Sequence, residues 1–169
     1  MRSVIDISLK KIQKNWEILN QLSNKNASAV VKANGYGLGM IEISRALLEK
    51  GCKFFYVAQL EEAIHLRKFF PSKKIKISVF EGLIHDPKYY YKYNLIPILN
   101  NFPQFQLLEK YNTTNIRSKI KAILNFDTGM NRLGFDEKDK QLLIKNFTKF
   151  KNTEIIYLMS HLSKASLNS

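Results

Sequence analysis

Val30-Val31-Lys32-Ala33-Asn34-Gly35-Tyr36-Gly37-Leu38-Gly39 is the stretch whose reading decides the fold. Two β-branched residues lead into a lysine, three glycines then open the backbone, and a helical pattern begins directly afterwards. The spacing predicts a strand over 28–33 that ends at an amine facing a glycine-rich turn. A lysine so placed can form a Schiff base with an aldehyde when burial leaves its amine neutral. Taken alone, a lysine at a strand end is more often a solvated charge, because lysines are rarely buried.

Outward from that stretch, strand and helix patterns alternate along the chain. Val4-Ile5-Asp6-Ile7 reads as a short extended segment, and a helix from Ser8 carries Leu9, Ile12, Trp16, Leu19 and Leu22 on one stripe. After the glycine turn a helix is predicted over 40–49, stopping near Gly51. Strands follow over 54–58, 75–80, 94–99, 119–126 and 154–161, that over 119–126 with Ile120, Ala122 and Leu124 on one face. Between them lie helices over 59–70, ended by Pro71, from Asp86-Pro87, and over 102–111. A further helix is capped by Asp136, with Leu143, Phe147 and Phe150 as its apolar stripe. Tyr89-Tyr90-Tyr91 forms an aromatic patch, and a polar tail over 163–169 follows the last strand.

Such alternation means parallel strands joined by right-handed crossover helices, in an open sheet or a barrel. Six strands are counted from Ser28, two short of a closed eight-stranded barrel. Working residues in parallel α/β folds gather at the C-terminal ends of strands. Strand order therefore brings Lys32, Arg132 in the loop after the fifth strand, and His161 at the end of the sixth to one rim.

The chain has 169 residues and a formal net charge of +13, enough length for one globular domain over 1–169 and enough charge to raise the question of polyanions. Its lysines are spread through nearly every helix rather than clustered, which speaks against nucleic acid as partner. A single cysteine, Cys52, rules out an intrachain disulfide and fits a reducing compartment. No apolar run reaches the roughly 18 residues of a membrane helix, and residues 1–11 carry no secretory pattern, so a cytoplasmic address is expected. Three histidines and one cysteine in no ligand spacing argue against a metal site. His65 and His85 are read as structural.

Three segments carry a family resemblance that spans nearly the whole chain. Val30 to Gly39 resembles the pyridoxal-phosphate attachment motif of alanine racemases, Asp127-Thr128-Gly129-Met130-Asn131-Arg132-Leu133-Gly134-Phe135 a second motif of that family, and Ser160-His161 a third. The resemblance implies an eight-stranded α/β barrel, here incomplete with about six of the eight strands, without the family's separate C-terminal β domain. It implies pyridoxal 5'-phosphate as cofactor, with Lys32 holding its aldehyde and serving as a catalytic base. Tyr36 would reach the phosphate, Arg132 the phenolic oxygen, and the His161 ring would lie against the cofactor ring. Leu38 departs from the frequent histidine of the family, and Asn125 stands where some members carry a carbamylated lysine.

The implied reaction is the interconversion of L- and D-alanine for peptidoglycan synthesis, with full-length members acting as homodimers. In that family the opposite-face base is a tyrosine of the partner subunit's C-terminal domain. The expectation is therefore a truncated or split racemase that is impaired alone and is completed by a C-terminal fragment. The alternatives are a non-catalytic pyridoxal-phosphate homeostasis protein of the same barrel type, and a nonfunctional remnant.

Overall fold

The computed structural model describes residues 4–164. Within it the chain forms two compact units, one ending at Ser78 and the other beginning at Val79.

The first unit opens with helix α1 (Leu9–Leu22), whose Ser8 side chain accepts a hydrogen bond from the Lys11 N–H. Strand β1 (Ala29–Val30) pairs in parallel with β2 (Phe54–Val57), Ala29 opposite Phe55 and Val30 opposite Tyr56. The Val31 N–H extends that ladder by donating to the Tyr56 carbonyl at 2.9 Å. Between the strands lie a single helical turn, α2 (Lys32–Tyr36), and helix α3 (Met40–Glu49), whose bounds match the predicted ones. Helix α4 (Leu60–Phe69) follows β2, and the Arg67 guanidinium ends it by donating to the carbonyls of Phe70, Ser72 and Ile75. Val31, Leu47, Phe55, Val57, Ala63 and Leu66 form the core of this unit. Strand β3 (Lys76–Val79) spans the division between the two units.

The second unit holds α5 (Pro87–Lys92), β4 (Ile96–Leu99), α6 (Phe102–Thr114), β5 (Lys121–Phe126), α7 (Glu137–Asn146) and β6 (Glu154–Ser160). Asp86 and Asp136 cap α5 and α7 as expected, accepting from the N–H groups of Lys88 and Asp139. Strands β4, β5 and β6 pair in parallel in chain order. Asn112 links the last turn of α6 to the residues that lead into β5 and β6: its amide donates to Ile120 O and Asn152 O and accepts from the Ile120 N–H. Tyr90, from the centre of the predicted aromatic patch, is buried and donates to the Gly82 carbonyl at 2.5 Å, while Tyr89 and Tyr91 are exposed.

Several expectations are corrected. The segment 4–7 is exposed and joins no strand. Of the α1 stripe only Trp16 is buried; Leu9 and Ile12 are half-buried, and Leu22 is 78% exposed, while Gln13 and Glu17 make polar contacts with α3 and its end. Ile120, Ala122 and Leu124 are buried as expected of one face, and Ile123 on the other face is buried too, as befits a strand with neighbours on either side. Phe147 is exposed, whereas Phe150 packs edge-to-face on Phe102 and Phe105. Ser163 and Lys164 of the predicted tail are exposed, and the remainder of it lies outside the described residues. Among the described residues no helix is long and apolar enough to cross a membrane.

Candidate functional site

The sequence places Lys32 at a strand end, and the structure puts it just beyond one. β1 stops at Val30, and from Ala33 the backbone turns left-handed: Ala33 lies at φ +50°, Asn34 at +52°, Gly35 at +64°, Tyr36 at +57° and Gly37 at +83°. Glycine adopts this conformation freely, but each non-glycine residue held there costs about 1–2 kcal/mol, less for asparagine. Ala33, Asn34 and Tyr36 therefore store strain that the surroundings must hold, a pattern found at functional positions.

The holding contacts can be named. Inside the turn, the N–H groups of Gly35, Gly37 and Gly39 donate to the carbonyls of Val31, Ala33 and Asn34, each at 2.9 Å. The Asn34 side chain accepts from the Met40 N–H at 3.0 Å, which ties the turn to the first residue of α3. Gly35 is buried, and a Cβ there would stand 2.9 Å from Ile43 Cδ1 and 3.2 Å from the Met40 nitrogen. The Glu62 carboxylate on α4 then spans three backbone donors. Its Oε1 accepts from Ala33 N–H at 2.6 Å, and its Oε2 from Ala58 N–H at 2.7 Å and Gln59 N–H at 3.2 Å.

Lys32 itself is half-buried, with its Nζ 5.9 Å from the centre of the Tyr36 ring. Tyr36 is 62% exposed, and Gly37 and Leu38 beside it are exposed as well. The turn thus brings an amine and a phenol together on an open rim, with a rigid backbone underneath.

Arg132 and His161 belong to the second unit. Phe126 at the end of β5 is in register with Ser160 at the end of β6, so the loop bearing Arg132 and the residue His161 leave equivalent positions of neighbouring parallel strands. A Cβ on Gly129 of that loop would come within 4.0 Å of Ser163 Oγ, which sets the loop beside the segment following His161. Both Arg132 and His161 are exposed.

The loop closes on itself. Asp127 Oδ1 accepts from the N–H groups of Gly129 at 2.9 Å and Asn131 at 3.1 Å, and these bonds hold its carboxyl below the usual carboxylate range. Phe135 returns to the strand, its N–H donating to Asn125 O at 2.7 Å and its carbonyl accepting from Asp127 N–H at 3.1 Å. Gly134, at φ +119°, makes this possible, since a Cβ there would sit 2.6 Å from the Asp127 nitrogen. Asn125 is buried and donates to Asn100 Oδ1 at 2.9 Å; Asn100 in turn donates to the Phe80 and Ile98 carbonyls.

Glu62 is the site residue that sequence reasoning passes over. Its signal is local: Gln59-x-x-Glu62 directly after a strand is a capping box, and both halves of it form at the start of α4. Nothing in that spacing announces the additional bond to Ala33.

Residues 7–169 match the family model described as alanine racemase, N-terminal domain. A curated alanine racemase from Rickettsia prowazekii is 38% identical over 162 residues, covering 94% of this chain and 39% of that protein. A solved alanine racemase from Bartonella henselae, described with covalently bound pyridoxal phosphate, superposes with a TM-score of 0.86 at 38% identity over 94% of this chain and 44% of that one. A histidine racemase from Leuconostoc mesenteroides shares the fold, with a TM-score of 0.79 at 23% identity. The strands and helices described above are accordingly those of an incomplete α/β barrel of this type, with six strands. The chain spans about two fifths of the length of the curated relatives it matches.

Proposed function

The chain belongs to the alanine racemase N-terminal domain family, and from that premise we propose that it supplies the lysine-bearing part of a pyridoxal-phosphate-dependent alanine racemase. The observation that carries this reading is the strained turn after β1, which presents Lys32 and Tyr36 together.

The residues suit a phosphorylated pyridine aldehyde. Lys32 supplies an amine of the kind that bonds an aldehyde carbon, Tyr36 a phenol hydroxyl that can donate to phosphate, and Arg132 a guanidinium that stays charged and can donate to a phenolic oxygen. The exposed edge formed by Tyr36, Gly37 and Leu38 leaves room beside the amine, and a Cβ on Gly37 would meet nothing within 4 Å. When bound, the cofactor supplies an electron sink that acidifies the Cα–H of an amino acid attached to it.

In this reading Lys32 Nζ would hold the cofactor, and as a free amine it would move a proton to and from one face of the substrate Cα. Tyr36 Oη orients the phosphate. Arg132 donates to the phenolic oxygen, and the His161 imidazole offers a flat surface for the ring. Racemisation needs a second base on the opposite face, which this reading assigns to a partner subunit of a homodimer or to a complementing C-terminal fragment. The expected setting is cytoplasmic, with D-alanine destined for peptidoglycan.

The test is hydrogen exchange at alanine Cα in D2O, with the purified 169-residue chain and added pyridoxal phosphate. One base on one face predicts deuterium entering one enantiomer with its configuration retained, and no uptake in Lys32→Ala. Inversion keeping pace with exchange contradicts the one-base assignment. Exchange that survives in Lys32→Ala contradicts the assignment of Lys32.

A further inference from the structure

We propose that Glu62 is a positioning residue for Lys32: its carboxylate fixes the left-handed turn from which the lysine projects. The inference rests on the reading of Lys32 as the cofactor-holding amine.

A helix cap alone explains only part of the geometry. In a capping box the third helical residue bonds back to the N-cap N–H, and here that is the 3.2 Å contact from Gln59. The two shorter bonds reach elsewhere. Oε2 takes the Ala58 N–H at 2.7 Å, immediately past the end of β2, and Oε1 takes the Ala33 N–H at 2.6 Å, 29 residues earlier in the chain. Both oxygens are therefore engaged, and the one facing Ala33 makes the shortest of the three contacts.

Ala33 is the position where this matters. It is the first left-handed residue after the lysine, with no glycine freedom to hold it at φ +50°, and its N–H belongs to the peptide group it shares with Lys32. Fixing that group fixes the orientation of the Lys32 Cα–Cβ bond. A hydrogen bond from a neutral N–H to a charged acceptor is about twice as strong as one between neutral groups, so a carboxylate suits the task better than an amide. Glutamine at 62 would keep one oxygen but turn an NH2 toward backbone donors that need an acceptor.

The experiment compares Glu62→Gln and Glu62→Ala with Gln59→Ala, which removes the other half of the capping box and leaves Ala33 untouched. Two quantities are read in the full chain. One is amide hydrogen exchange at Ala33. The other is the rate at which pyridoxal phosphate becomes fixed to Lys32, followed by borohydride trapping and peptide mapping. Both Glu62 variants are expected to lose protection at Ala33 and to attach the cofactor about tenfold more slowly or worse, the scale of one lost charge-assisted hydrogen bond. Gln59→Ala is expected to lower thermal stability while keeping the wild-type attachment rate. Should Glu62→Ala fail to fold, Glu62→Gln, which keeps the side-chain volume, gives the reading. Wild-type attachment at Lys32 with an undiminished rate in both Glu62 variants, or an equal slowing in Gln59→Ala, overturns the positioning role alone. Wild-type attachment to lysines other than Lys32 overturns the parent reading as well.

Discussion

The turn at 32–39 and the loop at 127–135 face the same structural task by different means. Each follows a parallel strand, each contains non-glycine backbone at positive φ (Ala33, Asn34 and Tyr36 in the first, Asn131 in the second), and each is organised by a carboxylate that accepts backbone N–H groups. In the first, the carboxylate comes from another helix, and the glycine at the centre is enclosed by Ile43 and Met40. In the second, Asp127 bonds to residues two and four positions on, Gly129 and Asn131, both of them exposed. Under the proposed function, the residue assigned a covalent partner sits on a backbone fixed by tertiary contacts, and the residue assigned only to donate from a flexible guanidinium sits on a loop that local chemistry can shape.

The comparison can be broken most forcefully at its glycines. In the 127–135 loop, Gly134→Ala would push a methyl against the Asp127 nitrogen and the Phe126 carbonyl carbon, backbone atoms 2.6 and 2.8 Å away, at a φ of +119°. We expect a loss of about 3 kcal/mol in chemical denaturation. In the Lys32 turn, Gly37→Ala meets open space and carries only the conformational penalty of its φ of +83°, so about 1 kcal/mol is expected. Equal losses would show that the crowding around Gly134, which Gly37 lacks, does not govern the cost.

Cysteine reactivity sharpens the contrast from the side of the first unit. Cys52 is 1% exposed, and burial pushes its thiol up to about 11. At neutral pH it is a protonated, enclosed thiol, so alkylation should be about a hundredfold slower in the native chain than in denaturant. Similar rates would mean that the packing around β2 opens readily and that the Lys32 turn lacks a rigid base.

The smallest effect concerns acid. Asp127 has its folded pKa depressed by the N–H groups of Gly129 and Asn131. The order it lends the loop is therefore present above the ordinary aspartate value and is lost as pH falls through the lowered one. The amide resonances of Gly129 and Asn131 should shift with a midpoint below about 3.9, the unperturbed aspartate value. A midpoint at or above that value would remove the hydrogen-bonded clamp from the account.

These differences also explain what could be read in advance. Helix α3, the caps at Asp86 and Asp136 and the six-strand succession were legible because they depend on neighbours a few residues away. The left-handed path through Ala33 was not, since a strand continuing through Lys32 fits the local pattern equally well, and Glu62, distant in sequence, selects the turn. Leu19 and Leu22 misled for a related reason: apolar periodicity marks a face but does not say how far along it a neighbour extends. For the candidate site, the three motifs single out Lys32, Tyr36, Arg132 and His161 for the proposed function, and the backbone that holds Lys32 was not legible in them.

The central claim is that this backbone exists to present Lys32 to pyridoxal phosphate. The most direct test adds the cofactor to the purified chain, reduces with borohydride and maps the modified peptide, alongside Lys32→Ala. The account predicts one dominant adduct, on Lys32, together with an absorbance band that the variant lacks. Labelling scattered over the surface lysines, or a band retained by Lys32→Ala, would contradict it.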